Sequence, residues 1–285
     1  MKPAAQKDDE LLRDIADARG RGRLWWLGQS GFLAQAAGKS VLFDPYLSDS
    51  LTRKYANTDK PHERVTERVI APERLKGIDV ITCSHNHTDH LDAETLLPLF
   101  EANPRAMLVV PRANVAFVLE RLGSVETRLV PIDAGEKVRV AGIEFLGVPA
   151  AHNTVERDER GCCRFLGLVA SFEKVKLYHS GDTLMHDGLA AALRPEKVDV
   201  ALVPINGNRP ERRVAGNMTG GEAARLAFEI GARVAIPHHF DMFAFNTEAP
   251  DEFVAECGRL GQAYRVLENG SGIELETLAS GKQDL

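Results

Sequence analysis

"DVITCSHNHTDHLD", residues 79–92, places three histidines and two aspartates within eight positions, directly after a short apolar run. The run "DVITC" reads as a buried strand. In extended chain, residues two apart point the same way, so His85 and His87 present their rings to one point just beyond that strand. A turn at Thr88 brings Asp89 and His90 around to a neighbouring point. Imidazole and carboxylate are metal donors, and two adjacent metal sites follow. The plainer alternative is a solvated polar loop in which Thr88 or Asp92 caps the helix that starts at "AETLLPLF". An H-x-H-x-D-H spacing is far more specific than a lone histidine pair, which favours the metal reading.

Other candidate ligands follow later apolar runs: His152 after "IEFLGVPAA", Asp182 after "KLYHSG", and His238 with His239 after "RVAIP". Loops at strand carboxyl ends commonly build the site in α/β architectures. A single histidine in such a place is more often a hydrogen-bonded turn residue. Together they supply the set that a pair of ions requires: imidazoles fill outer positions, and a carboxylate such as Asp182 can bridge two cations.

The rest of the chain alternates strands with helices. "DDELLRDIADARG" reads as an amphipathic helix stopped at Gly20. "LWWLGQSGFLAQAAGKSVLFDPYL" reads as three strands with a tight turn at Ala37 to Ser40 and a stop at Asp44-Pro45. Trp25 and Trp26, being adjacent, point to opposite faces. A strand and helix follow in "AMLVVP" and "ANVAFVLERLG". The middle is rich in strands: "TRLVPI", "KVRV", "IEFLGVPA", "RFLGLVASF", "KLYHS" and "VDVALVPI". After a long connection come the helix "TGGEAARLAFEIG", with Thr219 and Glu222 at capping-box spacing, and the strand "RVAIP". The helix "DEFVAECGRLG" and the strands "AYRVLE" and "GIELETL" end the chain. No repeat, low-complexity tract or linker interrupts the pattern, so residues 1–22 are expected to form a helical extension and residues 23–285 one α/β domain.

Apolar residues make up 44% of the chain and charged residues 27%, the balance of a soluble globular protein. A net charge of −6, with both signs interspersed, argues against a general nucleic-acid binder. The chain has no signal-peptide core and no apolar run of membrane length. Cys83, Cys162, Cys163 and Cys257 lack C-x-x-C spacing, so buried free thiols and a cytoplasmic location are expected.

"HNHTDH", a later histidine, the aspartate of "HSGDT" and a histidine of "IPHH" follow one another in an order that resembles the metallo-β-lactamase superfamily of metal-dependent hydrolases, over residues 23 to about 277. "WWLGQSGF", "SHNHTDHLD", "LYHSGD", "VDVALVPINGN", "NMTGGEA" and "AIPHHFDMF" are further similar to the L-ascorbate-6-phosphate lactonase group and its unassigned hydrolase relatives. The resemblance implies a four-layer αβ/βα sandwich with the site along one edge of two facing sheets. It implies that His85, His87 and His152 hold one ion, that Asp89, His90 and His239 hold the other, and that Asp182 bridges. The family phrase has its ligand two residues after proline, which selects His239 over His238. His238 then stands behind the site or in the core. His179 of "YHSGD" either hydrogen-bonds the site from behind or is a buried structural histidine. Asp44, ending "VLFD", supports the metal loop through hydrogen bonds. The surroundings of His152, "PAAHNTVERDERG", match the unassigned relatives better than the lactonases.

Two cations sharing a water lower its pKa towards neutrality. The expected chemistry is attack of a metal-bound hydroxide on a carbonyl or phosphoryl centre, with Asp89 orienting the nucleophile and Asp182 fixing the ion spacing. Nitrogen and oxygen ligands fit one or two ions of Mn or Zn, and also Fe. Arg209, Arg212 and Arg213, in "NGNRPERRVAGNMT", suit an anionic small-molecule substrate such as a sugar phosphate, or else form a solvated or acid-paired surface. Arg53, Lys54, Tyr55 and His62 make a second contact region, and His186 carries no assignment. Hydrolysis of a lactone or other ester, such as L-ascorbate 6-phosphate lactone, is the first expectation, and a phosphodiesterase or phospholipase-D-like hydrolase the second. A di-iron redox protein and a metal-stabilised binding protein without turnover are further alternatives. The expected partner is the substrate alone, without nucleic acid or a membrane span, and a homo-oligomer stays open.

Overall fold

Alternate side chains of the first strands enter different apolar clusters. In β1 (Arg23–Gly28), Leu24 and Trp26 face one cluster while Trp25 and Leu27 face another. Phe32 and Leu33 divide in the same way in β2 (Gly31–Ala36), as do Phe43 and Leu42 in β3 (Lys39–Phe43). A sheet buried on both faces needs a covering layer on each side. The computed structural model, which describes residues 1–123 and 125–275, supplies both.

The first sheet continues with β4 (Val80–Thr82), β5 (Met107–Pro111) and β6 (Leu129–Ile132). A second sheet holds β7 (Lys137–Val140), β8 (Ile143–Pro149), β9 (Leu166–Ser171), β10 (Lys176–His179), β11 (Val200–Pro204) and β12 (Val234–His238), and β13 (Gly272–Glu274) returns to pair with β1. Among the described residues the strand orders are β13-β1-β2-β3-β4-β5-β6 and β12-β11-β10-β9-β8-β7. The helices are α1 (Asp8–Asp17), α2 (Ser50–Lys54), α3 (Ala93–Ala102), α4 (Val115–Leu122), α5 (Leu189–Leu193), α6 (Gly220–Glu229) and α7 (Asp251–Leu260). Leu11 and Ile15 of α1, Leu96 and Leu99 of α3, and Val118 of α4 pack with Trp25 and Leu27 on the outer face of the first sheet. Helices α5 and α6 cover the second sheet, and α7 packs on α6. Between the sheets, Trp26 stacks on Phe240 at 4.6 Å and Phe43 on His179 at 5.4 Å. The result is the four-layer αβ/βα sandwich.

Helix α1 belongs to the outer layer of the first sheet, where Asp14 Oδ2 also accepts a hydrogen bond from Trp25 Nε1 at 2.8 Å. The tight turn after β2 is a two-residue hairpin with Ala37 and Gly38 both left-handed, at φ 51° and 71°. The expected strand "AYRVLE" reduces to a single bridge between Tyr264 and Ala235. Ala235 N donates to Ala263 O and Arg265 N to Ala235 O. The next donor on β12 would be the backbone nitrogen of Pro237, which has no hydrogen to give, so the ladder stops. Residues 276–278 of "GIELETL" lie outside the described residues. All four cysteines are free, with Cys162 partly buried and the others buried. Among the described residues, no helix is long and apolar enough to cross a membrane.

The α6 N-terminus has the capping box anticipated from its spacing: Thr219 Oγ1 accepts from Glu222 N at 3.2 Å, and Glu222 Oε2 accepts from Thr219 N at 2.9 Å. Loss of such a cap costs about 1 kcal/mol. Thr219→Ala is expected to lower the urea midpoint by the corresponding amount without changing the slope, and an unchanged midpoint would show that the cap does not support α6.

Candidate metal centre

Strands β1, β3 and β4 run in one direction, and β8, β10, β11 and β12 share a direction in the second sheet. Their carboxyl ends meet along one edge of the sandwich. Gln29 follows β1, Asp44 follows β3, and His85, His87, Asp89 and His90 follow β4. From the second sheet, His152 follows β8, Asp182 follows β10, and His239 follows β12. Ligand atoms of His85, His87 and His152 lie within 4.8 Å of one another, and so do those of Asp89, His90 and His239. Asp182 touches both groups: its Oδ2 is 3.5 Å from His152 Nε2 and 3.2 Å from His239 Nε2, while Oδ1 is 3.3 Å from His90 Nε2.

Several of these residues reach their places through backbone that non-glycine residues rarely adopt. Gln29, Asp44 and His239 are left-handed, at φ 49°, 39° and 60°, a conformation that costs about 1–3 kcal/mol and persists only where surrounding contacts hold it. At His239 it breaks the strand alternation and turns the ring inward, and His239 N donates to Gln29 O at 3.0 Å, joining the two sheets. Gly181, at φ 58°, lies so close to the histidine loop that a Cβ would stand 2.6 Å from Ser84 Cβ. That approach brings Asp182 against His90.

Asp44 orients the loop from behind. Its Oδ1 accepts from Ser84 N at 3.0 Å and Thr82 Oγ1 at 3.3 Å, and its Oδ2 accepts from Ser84 Oγ and from His90 Nδ1 at 2.6 Å. Asp44, His85 and His90 also lie within 4.8 Å of one another, but these four hydrogen bonds occupy the Asp44 carboxylate. His152 Nδ1 donates to Gly216 O at 2.9 Å. The Nε2 atoms of His90 and His152 are thereby turned to Asp182, the arrangement in which outer hydrogen bonds fix the tautomer of a metal-binding ring. Buried His85 Nε2, His90 Nε2 and Asp182 Oδ1 meet no aligned hydrogen-bond partner among the described residues, although the last two approach to 3.3 Å. Buried polar atoms are ordinarily satisfied; a nitrogen and oxygen donor set with these orphaned atoms fits a divalent ion or a pair of them.

The charges are strongly coupled. Burial alone would raise the Asp182 carboxyl, but the His239 and His90 rings outweigh it and hold it well below the usual carboxylate range. Burial would likewise lower His90 and His239. Asp182, seconded by Asp89, instead pushes His90 well above its ordinary value and His239 up to about 9. His85, His87 and His152 are lowered, chiefly by burial, although His87 keeps an exposed edge. Burial thus favours the neutral, donating form of three rings, while Asp182 and Asp89 favour the protonated form of the other two.

His238 faces away from the cluster. Its ring stacks on His179 at 5.1 Å and meets Phe32 edge-on, and Ser180 Oγ lies 3.3 Å from its Nε2. His179 Nε2 donates to Ser30 O at 2.8 Å, tying the second sheet to the β1–β2 turn. Gln29, which the sequence offers only within "WWLGQSGF" and without a role, joins the site: Nε2 donates to Asp89 Oδ2 at 2.9 Å and lies 3.1 Å from His239 Nε2.

A cavity of about 510 Å³ opens on His87, Asp89, His152, Asp182 and His239. Of the two expectations for Arg209, Arg212 and Arg213, substrate contact or an acid-paired surface, the contacts match the second, and none of the three lines this cavity. Arg209 and Arg212 pair with Glu248, Arg212 also donates to Asn206 O and Thr247 O, and Arg213 pairs with Asp59. They clamp their own loop. The cations that do line the cavity are Lys54, Lys60 and Arg121.

Comparison with known proteins agrees with this architecture. The beta-lactamase superfamily domain matches residues 39–240. A UPF0173 metal-dependent hydrolase of Rubrobacter xylanophilus is 28% identical over 268 residues, covering 92% of this chain and 99% of that protein. Among solved structures, Igni18, a metallo hydrolase from Ignicoccus hospitalis, superposes with a TM-score of 0.65 at 21% identity over 88% of this chain and 97% of its own. CmlA, a diiron beta-hydroxylase from Streptomyces venezuelae, gives 0.67 at 17% identity over 89% of this chain and 54% of its own. With the family matched over most of the chain and the fold shared, the protein belongs to the beta-lactamase superfamily.

Proposed function

We propose that the protein is a hydrolase with two adjoining ion sites, His85, His87 and His152 forming one, Asp89, His90 and His239 the other, with Asp182 shared. The observation that carries this reading is the position of Asp182, within 3.2–3.5 Å of a histidine nitrogen from each group. Ions bound there would acidify a shared water and polarise the oxygen that gains charge during attack. Mn, Zn and Fe all suit such ligands. Gln29 holds Asp89 Oδ2, so the carboxylate keeps one orientation while it positions the nucleophile. Asp44 holds His90 through Nδ1 and keeps its Nε2 turned to Asp182. The favoured substrate is a lactone or other ester, on the strength of "WWLGQSGF", "LYHSGD" and "AIPHHFDMF". Lys54, Lys60 and Arg121 in the cavity lining also suit a phosphoryl group, which makes a phosphodiester the second choice. Assay of metal-loaded protein against lactones, sugar-phosphate lactones and phosphodiesters separates the two, and turnover of phosphodiesters alone would reverse their order.

Asp182→Ala is expected to abolish hydrolysis and to weaken metal binding by more than the roughly 10–100-fold typical of substituting an outer hydrogen-bond partner, whereas His238→Ala leaves metal content near that of the parent. Elemental analysis and metal titration check both, and an emptied site in His238→Ala with a full one in His239→Ala would shift the assignment by one residue.

Metal binding is also expected to depend on pH. The His239 ring, with its pKa raised to about 9 in the metal-free cluster, carries a proton at neutral pH, and only the neutral ring can bind an ion. Mn²⁺ affinity therefore rises as pH increases toward about 9, and binding near neutrality releases protons. Calorimetry in buffers of different ionisation enthalpy measures that release, and a heat independent of buffer would contradict it.

A further inference from the structure

Part of the cavity lining is not accounted for by the metal residues. Tyr55, His62, Phe243 and Phe245 form it. The His62 ring stacks on Tyr55 with centroids 4.4 Å apart and planes 24° apart, and meets Phe243 and Phe245 edge-on at 5.1 and 4.6 Å. Three aromatic neighbours fix the plane of the imidazole. Its Nδ1 lies 2.9 Å from the Lys60 carbonyl oxygen. A carbonyl only accepts, so Nδ1 carries the proton, and in the neutral ring Nε2 is an acceptor. Among the described residues Nε2 has no hydrogen-bond partner, and it is not one of the sealed-off buried atoms. Burial lowers the His62 pKa, against the opposing effects of the Lys60 carbonyl and Asp89, which favours the neutral form. A rigid acceptor set among aromatic rings, in the same cavity as Asp89 and Asp182, has the features of a recognition element: flat surface for apolar contact and one directional polar atom.

We propose that Tyr55, His62, Phe243 and Phe245 form the substrate-recognition subsite, which takes an aromatic group bearing a hydroxyl, the hydroxyl donating to His62 Nε2. The substrate class is then a hydroxyaryl ester or lactone. This inference rests on the hydrolase reading for the word ester, but the subsite itself binds without turnover. His62 in this role positions substrate, and the metal residues are not required to change when it is altered.

The test measures binding apart from hydrolysis, using phenol and anisole as probes on the metal-loaded full chain. The two share a ring, and only phenol donates a hydrogen bond. Phenol is expected to shift the His62 Nε2 resonance in ¹⁵N NMR and to bind about tenfold more tightly than anisole, since a site built to pair a hydroxyl rejects the analogue without it. In His62→Phe, which keeps the aromatic packing, that preference falls to within about twofold while metal content and melting temperature hold. His62→Gln, whose Oε1 can accept, retains it. Equal binding of phenol and anisole by the parent protein overturns the proposal, as does a phenol preference that survives in His62→Phe. A phenol preference lost in His62→Phe, together with no turnover of esters, lactones or phosphodiesters under any metal loading, supports the subsite and overturns the hydrolase reading instead.

Discussion

The carboxylate of Asp182 is the constraint on which the sandwich edge depends. A charged group only 3% exposed is tolerated between apolar layers only if opposite charge and hydrogen bonds surround it. Its neighbours come from both sheets, His90 from the loop after β4 and His152 and His239 from the ends of β8 and β12. The sheets must therefore meet in one register at this edge. Three hydrogen bonds hold them there: His239 N to Gln29 O, Leu166 N to Ser84 O, and His179 Nε2 to Ser30 O. The apolar stack of Phe43, His179 and His238 lies directly behind. Packing and polar contacts thus specify the same arrangement of the clustered donors.

The backbone carries the counterpart of that arrangement. Left-handed non-glycine residues occur at Gln29, Asp44 and His239, all at strand ends and all touching the cluster. Each is held by a contact that crosses between chain segments. Asp44 has four donors on its carboxylate, and Gln29 and His239 hold each other by a main-chain bond. At these three positions the left-handed backbone sets ring and carboxylate direction, while Ala37, Ala141 and Lys197 show the ordinary use of the same conformation in turns elsewhere.

Much of this was legible in residue order, for reasons that can be traced. Period-two alternation, capping chemistry and turn residues marked most strands and helices because those signals are local. The loop after "DVITC" was legible because four candidate ligands share six consecutive positions, 85 to 90. His152, Asp182 and His239 could be placed at strand ends, and the family phrase chose His239 over His238; the left-handed turn at His239 is the physical reason that the two rings point apart. The arginines were legible as an acid-paired surface, but local charge could not name the partners: Glu248 lies 36 residues beyond Arg212, and Asp59 lies 154 before Arg213. Gln29 was silent for the same reason, its contacts with Asp89 and His239 spanning 60 and 210 positions. The bridge at Tyr264 shows a further limit, since strand propensity in "AYRVLE" was overruled by a missing hydrogen on another segment.

That missing hydrogen has an effect beyond the register of one strand. Among the described residues β12 is the last strand of its sheet, and an outermost strand with a full row of unpaired donors and acceptors is a template on which another chain can build. Pro237 removes a donor from that row, and the turn at His239 ends the extended run two residues later. The proline that precedes the inward-turning histidine therefore also blunts an adhesive border, leaving the protein a site rim that is difficult to recruit into an aggregate.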